Sequence, residues 1–124
     1  MTLEELYSSI SGDYDYAKKV LRMDKMIDRF ILKFAKDPSM QKLSAAYESG
    51  DATGIFEGAH SVKGVTANIG LTTLSSLTAR ISDEFRPGSS RKLSDEELDK
   101  IVKEAQALYD TTVKMIARYE AEKA

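Results

Sequence analysis

The chain of 124 residues contains no cysteine. That excludes a disulfide framework, a thiolate zinc site and a catalytic thiol, and is compatible with a reducing compartment. Histidine occurs once, at His60, which leaves too few ligands for a metal site of the usual kind. Charge of neither sign dominates: 18 basic against 20 acidic residues give a net charge of −2. With no basic run of the kind that tracks phosphates, nucleic acid is not an expected partner. No apolar run approaches membrane-spanning length, and the opening Met1-Thr2-Leu3-Glu4-Glu5 is acidic where a signal peptide is basic and then apolar. A cytoplasmic protein without a membrane segment is expected. Strand-like alternation bounded by hairpin residues is missing too, as are internal repeats and low-complexity tracts.

What is present suits one globular domain over residues 1–124: 42% hydrophobic and 31% charged residues, in a chain long enough to bury a core. The apolar residues recur at helical spacing. Thr2-x-x-Glu5 reads as a capping box opening a short helix with Leu3, Leu6 and Ile10 on one face, ended by Ser11-Gly12. Asp13 or Asp15 can cap a second short piece through Leu21. From Asp24 to Lys36 an amphipathic helix places Met26, Ile27, Phe30, Ile31 and Phe34 in the core. Asp37 as cap and Pro38 as first helical residue then open a helix with Met40, Leu43, Ala46 and Tyr47 inward, stopped by Ser49-Gly50. Later, Leu71, Leu74, Thr78, Ile81 and Phe85 keep helical period to Arg86, and Pro87-Gly88-Ser89-Ser90 is a clear turn. Ser94-x-x-Glu97 caps a final helix carrying Leu98, Ile101, Val102, Ala105, Leu108, Thr112, Ile116 and Tyr119, expected to fray beyond Tyr119. The fold class read from this pattern is all-α. Short connections make sequential helices antiparallel neighbours, so the helices from about residue 24 predict an up-down four-helix bundle with short additional N-terminal helices.

The stretch from Asp51 to Gly70 is the informative one. Asp51 is a good N-cap and Gly70 suits the left-handed residue that ends a helix. At about 100° per residue, Ile55, Ala59, Val62, Thr66 and Ile69 form a buried stripe and His60 points away from it. Phe56, Gly64 and Ala67 share the outward strip with His60, and Lys63 flanks the imidazole. Gly58 and Gly64 lie inside the helix, where glycine costs roughly 1 kcal/mol relative to alanine, so each needs a reason such as close approach by another group.

Ala59-His60-Ser61-Val62-Lys63-Gly64, followed by small residues and then Ile69-Gly70, resembles the signature of histidine-containing phosphotransfer (HPt) domains, the four-helix carriers of two-component phosphorelays. The resemblance implies that His60 is the phosphoacceptor and that Lys63 stabilises the phosphoryl group. It also implies that Phe56, Gly64 and Ala67 face a partner, and that the domain docks on response-regulator receiver domains whose own aspartates and Mg²⁺ supply most of the transfer chemistry. The carrier itself needs no cofactor. An upstream hybrid histidine kinase is a further possible partner, and a monomer is expected. On the following helix several family members carry a Glu or Gln that hydrogen-bonds the second imidazole nitrogen. This chain has Ser82 there, a shorter group that can still accept from the ring N–H.

Histidine suits such a carrier because neutral imidazole is present near pH 7 and its free nitrogen is nucleophilic without a further base. A lysine nearby supplies charge for a phosphoryl group carrying close to two negative charges. No glycine-rich ATP-binding segment is present, so the chain reads as a phosphocarrier rather than a kinase. The competing reading is a helical adaptor of the same shape that binds receivers or other partners without carrying phosphate. The presence of both His60 and Lys63 favours the carrier.

Overall fold

Apolar stripes and cap residues become seven helices among residues 1–123, which the computed structural model describes: α1 (Leu3–Ser9), α2 (Tyr14–Leu21), α3 (Asp24–Phe34), α4 (Ser39–Ser49), α5 (Ala52–Asn68), α6 (Thr72–Phe85) and α7 (Asp95–Lys123). Both capping boxes form. The Glu5 amide donates to Thr2 Oγ1 at 3.1 Å while the Thr2 amide donates to Glu5 Oε1 at 2.9 Å. Ser94 and Glu97 make the same reciprocal pair at the start of α7. Each box satisfies two amides that the first turn of a helix otherwise leaves without partners.

Three boundaries differ from the sequence expectation, each for a local reason. Helix α3 ends at Phe34 rather than Lys36, because the Lys36 and Asp37 amides bond back only three residues, to Lys33 and Phe34, in a tightened turn. Pro38 is the cap of α4 instead of its first residue, although the Asp37 carboxylate still accepts from the Ser39 amide at 2.8 Å. Helix α7 continues to Lys123. There Tyr119 and Lys123 both donate to Asp28, and Glu122 pairs with the Met1 ammonium at 2.8 Å. Met26 and Phe30 are half-buried at the edge of the core, whereas Ile27, Ile31 and Phe34 fill it.

Helix α5 lies between α4 and α6, and α7 packs on α6, α4, α3 and α1. Contact registers give the directions. Gly58 meets Leu43 while Gly54 meets Ala46, so α5 runs antiparallel to α4. Ser75 donates to the Lys63 carbonyl at 3.3 Å while Arg86 reaches Phe56, so α6 runs antiparallel to α5. Tyr119 bonds Asp28, Phe34 and Tyr109 meet edge to face at 5.9 Å, and Ser44 bonds Gln106. Helices α3 and α4 therefore lie head to tail along α7 as one broken helix. The core between these helices is built from Ile27, Ile31, Met40, Leu43, Ile55, Val62, Leu74, Ile81 and Ile116, each at most 3% exposed.

The N-terminal pair α1–α2 secures the end of α5. The Tyr7 hydroxyl donates to the Ile69 carbonyl at 2.6 Å and the Asp13 amide donates to the Gly70 carbonyl at 2.7 Å. Burial pushes the Tyr7 hydroxyl pKa up, so it remains a donor. Gly70 adopts φ +76°, and a Cβ there would stand 2.6 Å from the Asp13 carbonyl oxygen. Both the left-handed turn and the close chain approach require glycine at this point.

Candidate functional site

Helix α5 starts where Asp51 accepts from the Gly54 amide at 3.1 Å, and His60 is its central residue. Ile55, Ala59, Val62, Thr66 and Ile69 are buried, as the periodicity predicts. The polar member of that stripe, Thr66, donates to the Val62 carbonyl at 2.6 Å, within its own helix. With the stripe fixed inward, His60 and Gly64 are exposed, while Phe56, Lys63 and Ala67 are half-buried at the rim.

The two interior glycines separate into two kinds. A Cβ at Gly58 would lie 2.9 Å from the Leu43 Cα and backbone nitrogen, so Gly58 is the point where α4 and α5 touch backbone to backbone. A Cβ at Gly64 would meet nothing within 4 Å. No neighbour inside the protein explains Gly64. It leaves a bare patch of helix one turn beyond the imidazole.

The imidazole stacks on the Phe56 ring, with centroids 5.5 Å apart and planes 20° from parallel. The Arg86 guanidinium carbon stands 5.6 Å from the centroid of that same ring, and Arg86 pairs with Asp83 at 3.0 Å. Lys63 is held from the backbone side, where its carbonyl accepts from Ser75 across the α5–α6 contact. Among the described residues its ammonium has no carboxylate partner, so the cation is free for an anion arriving at the strip.

Ser82 does not take the expected part. Its side chain is fully buried and its Oγ has no hydrogen-bond partner, so it does not reach the imidazole. The reason is its register: Ser82 follows Thr78 by one turn and Leu74 by two, and therefore belongs to the core stripe of α6. Arg86, one turn further and the residue that caps the end of α6, is the one that arrives at the site, and sequence reading missed it. Phe56 lies 14 residues before Gly70 and Arg86 16 after it, so folding back at that turn sets the two at similar heights on neighbouring helices.

A groove of about 370 Å³ adjoins the strip, lined by Val20, Leu21, Phe30, Phe34, Val65 and Asn68 among others. Asn68 lies one turn beyond Gly64 on α5. Val20 at its α2 side is 43% exposed, a large apolar surface left open to solvent. Among the described residues no helix is long and apolar enough to cross a membrane.

Of the comparisons with known proteins, the family model described as Hpt domain matches residues 25–112, well over half of the chain and including all of α5 and α6. No curated protein and no solved structure gives a significant match.

Proposed function

The chain belongs to the Hpt domain family, and from that premise we propose that His60 accepts a phosphoryl group from a receiver-domain aspartate and returns it to one. The observation that carries this reading is the placement of the chain's sole imidazole. It stands exposed at the centre of α5, beside a lysine with no carboxylate partner among the described residues and one turn from a glycine with open space around it.

In the proposed step the lone pair of the unprotonated ring nitrogen forms a bond to phosphorus as the bond between phosphorus and the aspartyl oxygen breaks. The carboxylate departs with that electron pair. The ring becomes cationic and its remaining N–H releases the proton to water. Lys63 offsets the charge of the phosphoryl group from the rim of the strip. The receiver's own aspartates and its Mg²⁺ supply the rest of the electrostatic stabilisation, and the step is reversible because the carrier adds no irreversible chemistry of its own.

Docking on this reading uses the bare Gly64 patch and the apolar groove beyond it. A receiver covering both would bury Val20 while bringing its phosphoaspartate to His60. Upstream, a hybrid histidine kinase with an attached receiver is the expected source of phosphoryl groups.

The test is to mix the protein with a receiver domain carrying radiolabelled aspartyl phosphate and separate the two chains. Label that appears on this chain, is lost in acid and retained in alkali, and is absent from His60→Gln supports the carrier. Saturable binding of the receiver with no label on His60 would instead establish an adaptor. Val20→Glu should weaken the transfer by raising half-saturation, without preventing phosphorylation of His60 by small-molecule phosphoramidate.

A further inference from the structure

We infer that Phe56 is a positioning residue for His60, holding the imidazole in one orientation by stacking while leaving both ring nitrogens free. This rests on the proposed carrier function and adds how the acceptor is kept in place.

An exposed histidine on a helix has more than one χ1 well and a broad two-fold χ2, so a lone ring samples several directions. Among the described residues no hydrogen bond fixes this one. Ser82, the α6 hydroxyl at the right height, is turned into the core with its Oγ unpartnered. What the ring does have is the near-parallel Phe56 face. Helical side chains lean toward the N-terminus, so His60 lies back over the turn that carries Phe56. By the same geometry any side chain at position 64 would lean back over His60. Glycine there keeps the other side of the imidazole open.

Phe56 is itself restrained. It is half-buried, and the Arg86 guanidinium sits over its ring while bound to Asp83 on α6. The orientation of the acceptor is thus transmitted from α6 through Asp83, Arg86 and Phe56 to His60, by a cation–π contact and a stack instead of a hydrogen bond. The difference matters chemically. A hydrogen bond would engage one ring nitrogen, whereas a stack restrains the plane and leaves one nitrogen for phosphorus and the other for proton release to water.

The experiment compares wild type, Phe56→Leu and Phe56→Tyr by three measurements. The first is the proton resonances of the His60 ring, which a stacked phenyl shifts by its ring current and which need no phosphoryl transfer. The second is single-turnover transfer from a phosphorylated receiver over a range of receiver concentrations. Thermal melting is the third. Phe56→Leu should move the His60 ring resonances toward those of an unstacked histidine and lower the saturating transfer rate roughly threefold to tenfold, the value of an aromatic pair. The saturating rate should fall by a larger factor than half-saturation rises, and melting should change little, as for a rim position with no lost hydrogen bond. Phe56→Tyr should restore both the resonances and the rate. Unchanged His60 resonances in Phe56→Leu, a loss confined to half-saturation, or failure of tyrosine to rescue would each overturn the assignment. If wild type takes no phosphoryl group, the carrier reading fails, and the positioning role with it, while the resonances still report whether the stack exists.

Discussion

Replacing Gly58 and Gly64 in turn by alanine should move stability in opposite directions, although both glycines lie inside α5 less than two turns apart. The propensity gain is common to both, about 0.5–1 kcal/mol for alanine over glycine in a helix interior. At Gly64 nothing opposes it, since the added Cβ meets no atom within 4 Å. Gly64→Ala should therefore raise the melting temperature by roughly 2–5 °C, given that about 1 kcal/mol shifts a domain of this size by about 3–5 °C. At Gly58 the added carbon would stand 2.9 Å from the Leu43 Cα and nitrogen. Backbone atoms cannot rotate aside as a side chain can, so α4 and α5 must move apart, and overpacking of this kind costs about 1–3 kcal/mol. The net expectation for Gly58→Ala is a loss of up to roughly 2.5 kcal/mol after the propensity gain is subtracted. Thermal melts of the two variants beside wild type decide it. A Gly64→Ala protein that melts below wild type would mean that this strip touches something within the fold, and a Gly58→Ala protein that melts above it would mean that the α4–α5 contact is looser than described. Transfer should separate the two again, because Gly64→Gln, more stable or neutral, should slow transfer in both directions with alanine intermediate.

Lys63→Ala should slow transfer by about tenfold without abolishing it, the value of one partly exposed cation near the developing charge, and the deficit should shrink at high salt. Single-turnover rates at two ionic strengths check this. Ser82→Ala removes a buried hydroxyl with no partner, so denaturant titration should show unchanged stability or a gain of up to about 1 kcal/mol, with an unchanged transfer rate. A clear loss of transfer would return Ser82 to the site. Asp28 supplies a pH-dependent contribution. Burial pushes its carboxyl upward, but hydrogen bonds from Lys123 and Tyr119 outweigh that and hold its pKa below the usual carboxylate value. A folded value below the unfolded one gives stability that is complete above the ordinary carboxylate range and lost as pH falls through the folded value, below about pH 4. Asp28→Asn should be less stable at pH 7 and lose less on acidification, measured by melting temperature across that window.

The periodicity of the apolar residues made the helices legible, and in α5 it also fixed the outward direction of His60, because one stripe determines the opposite face. Where apolar stripes were wide the edge was not legible. Met26 and Phe30 lie at that edge and are half-buried. Boundaries set by caps alone, as at Pro38, moved by a residue, since Asp37 serves the Ser39 amide from outside the helix. Features that depend on register between helices were the least accessible. The different tasks of Gly58 and Gly64 become visible only when α4 is seen against one and solvent against the other. Ser82 was assigned by its correspondence to the Glu or Gln of the family resemblance, although its spacing from Leu74 and Thr78 already placed it inward. Arg86 belongs to the last turn before Pro87 and reaches the site only because α6 folds back along α5.

A carrier of this kind holds its phosphoryl group by a phosphorus–nitrogen bond on one imidazole. The most direct measurement is a phosphorus–proton correlation spectrum of the protein after incubation with a phosphorylated receiver domain. One phosphorus resonance coupled to the ring protons of His60, and discharged when unphosphorylated receiver is added in excess, is the predicted result. Phosphorus that stays wholly on the receiver despite saturated binding, or that couples to any residue other than His60, would contradict the account.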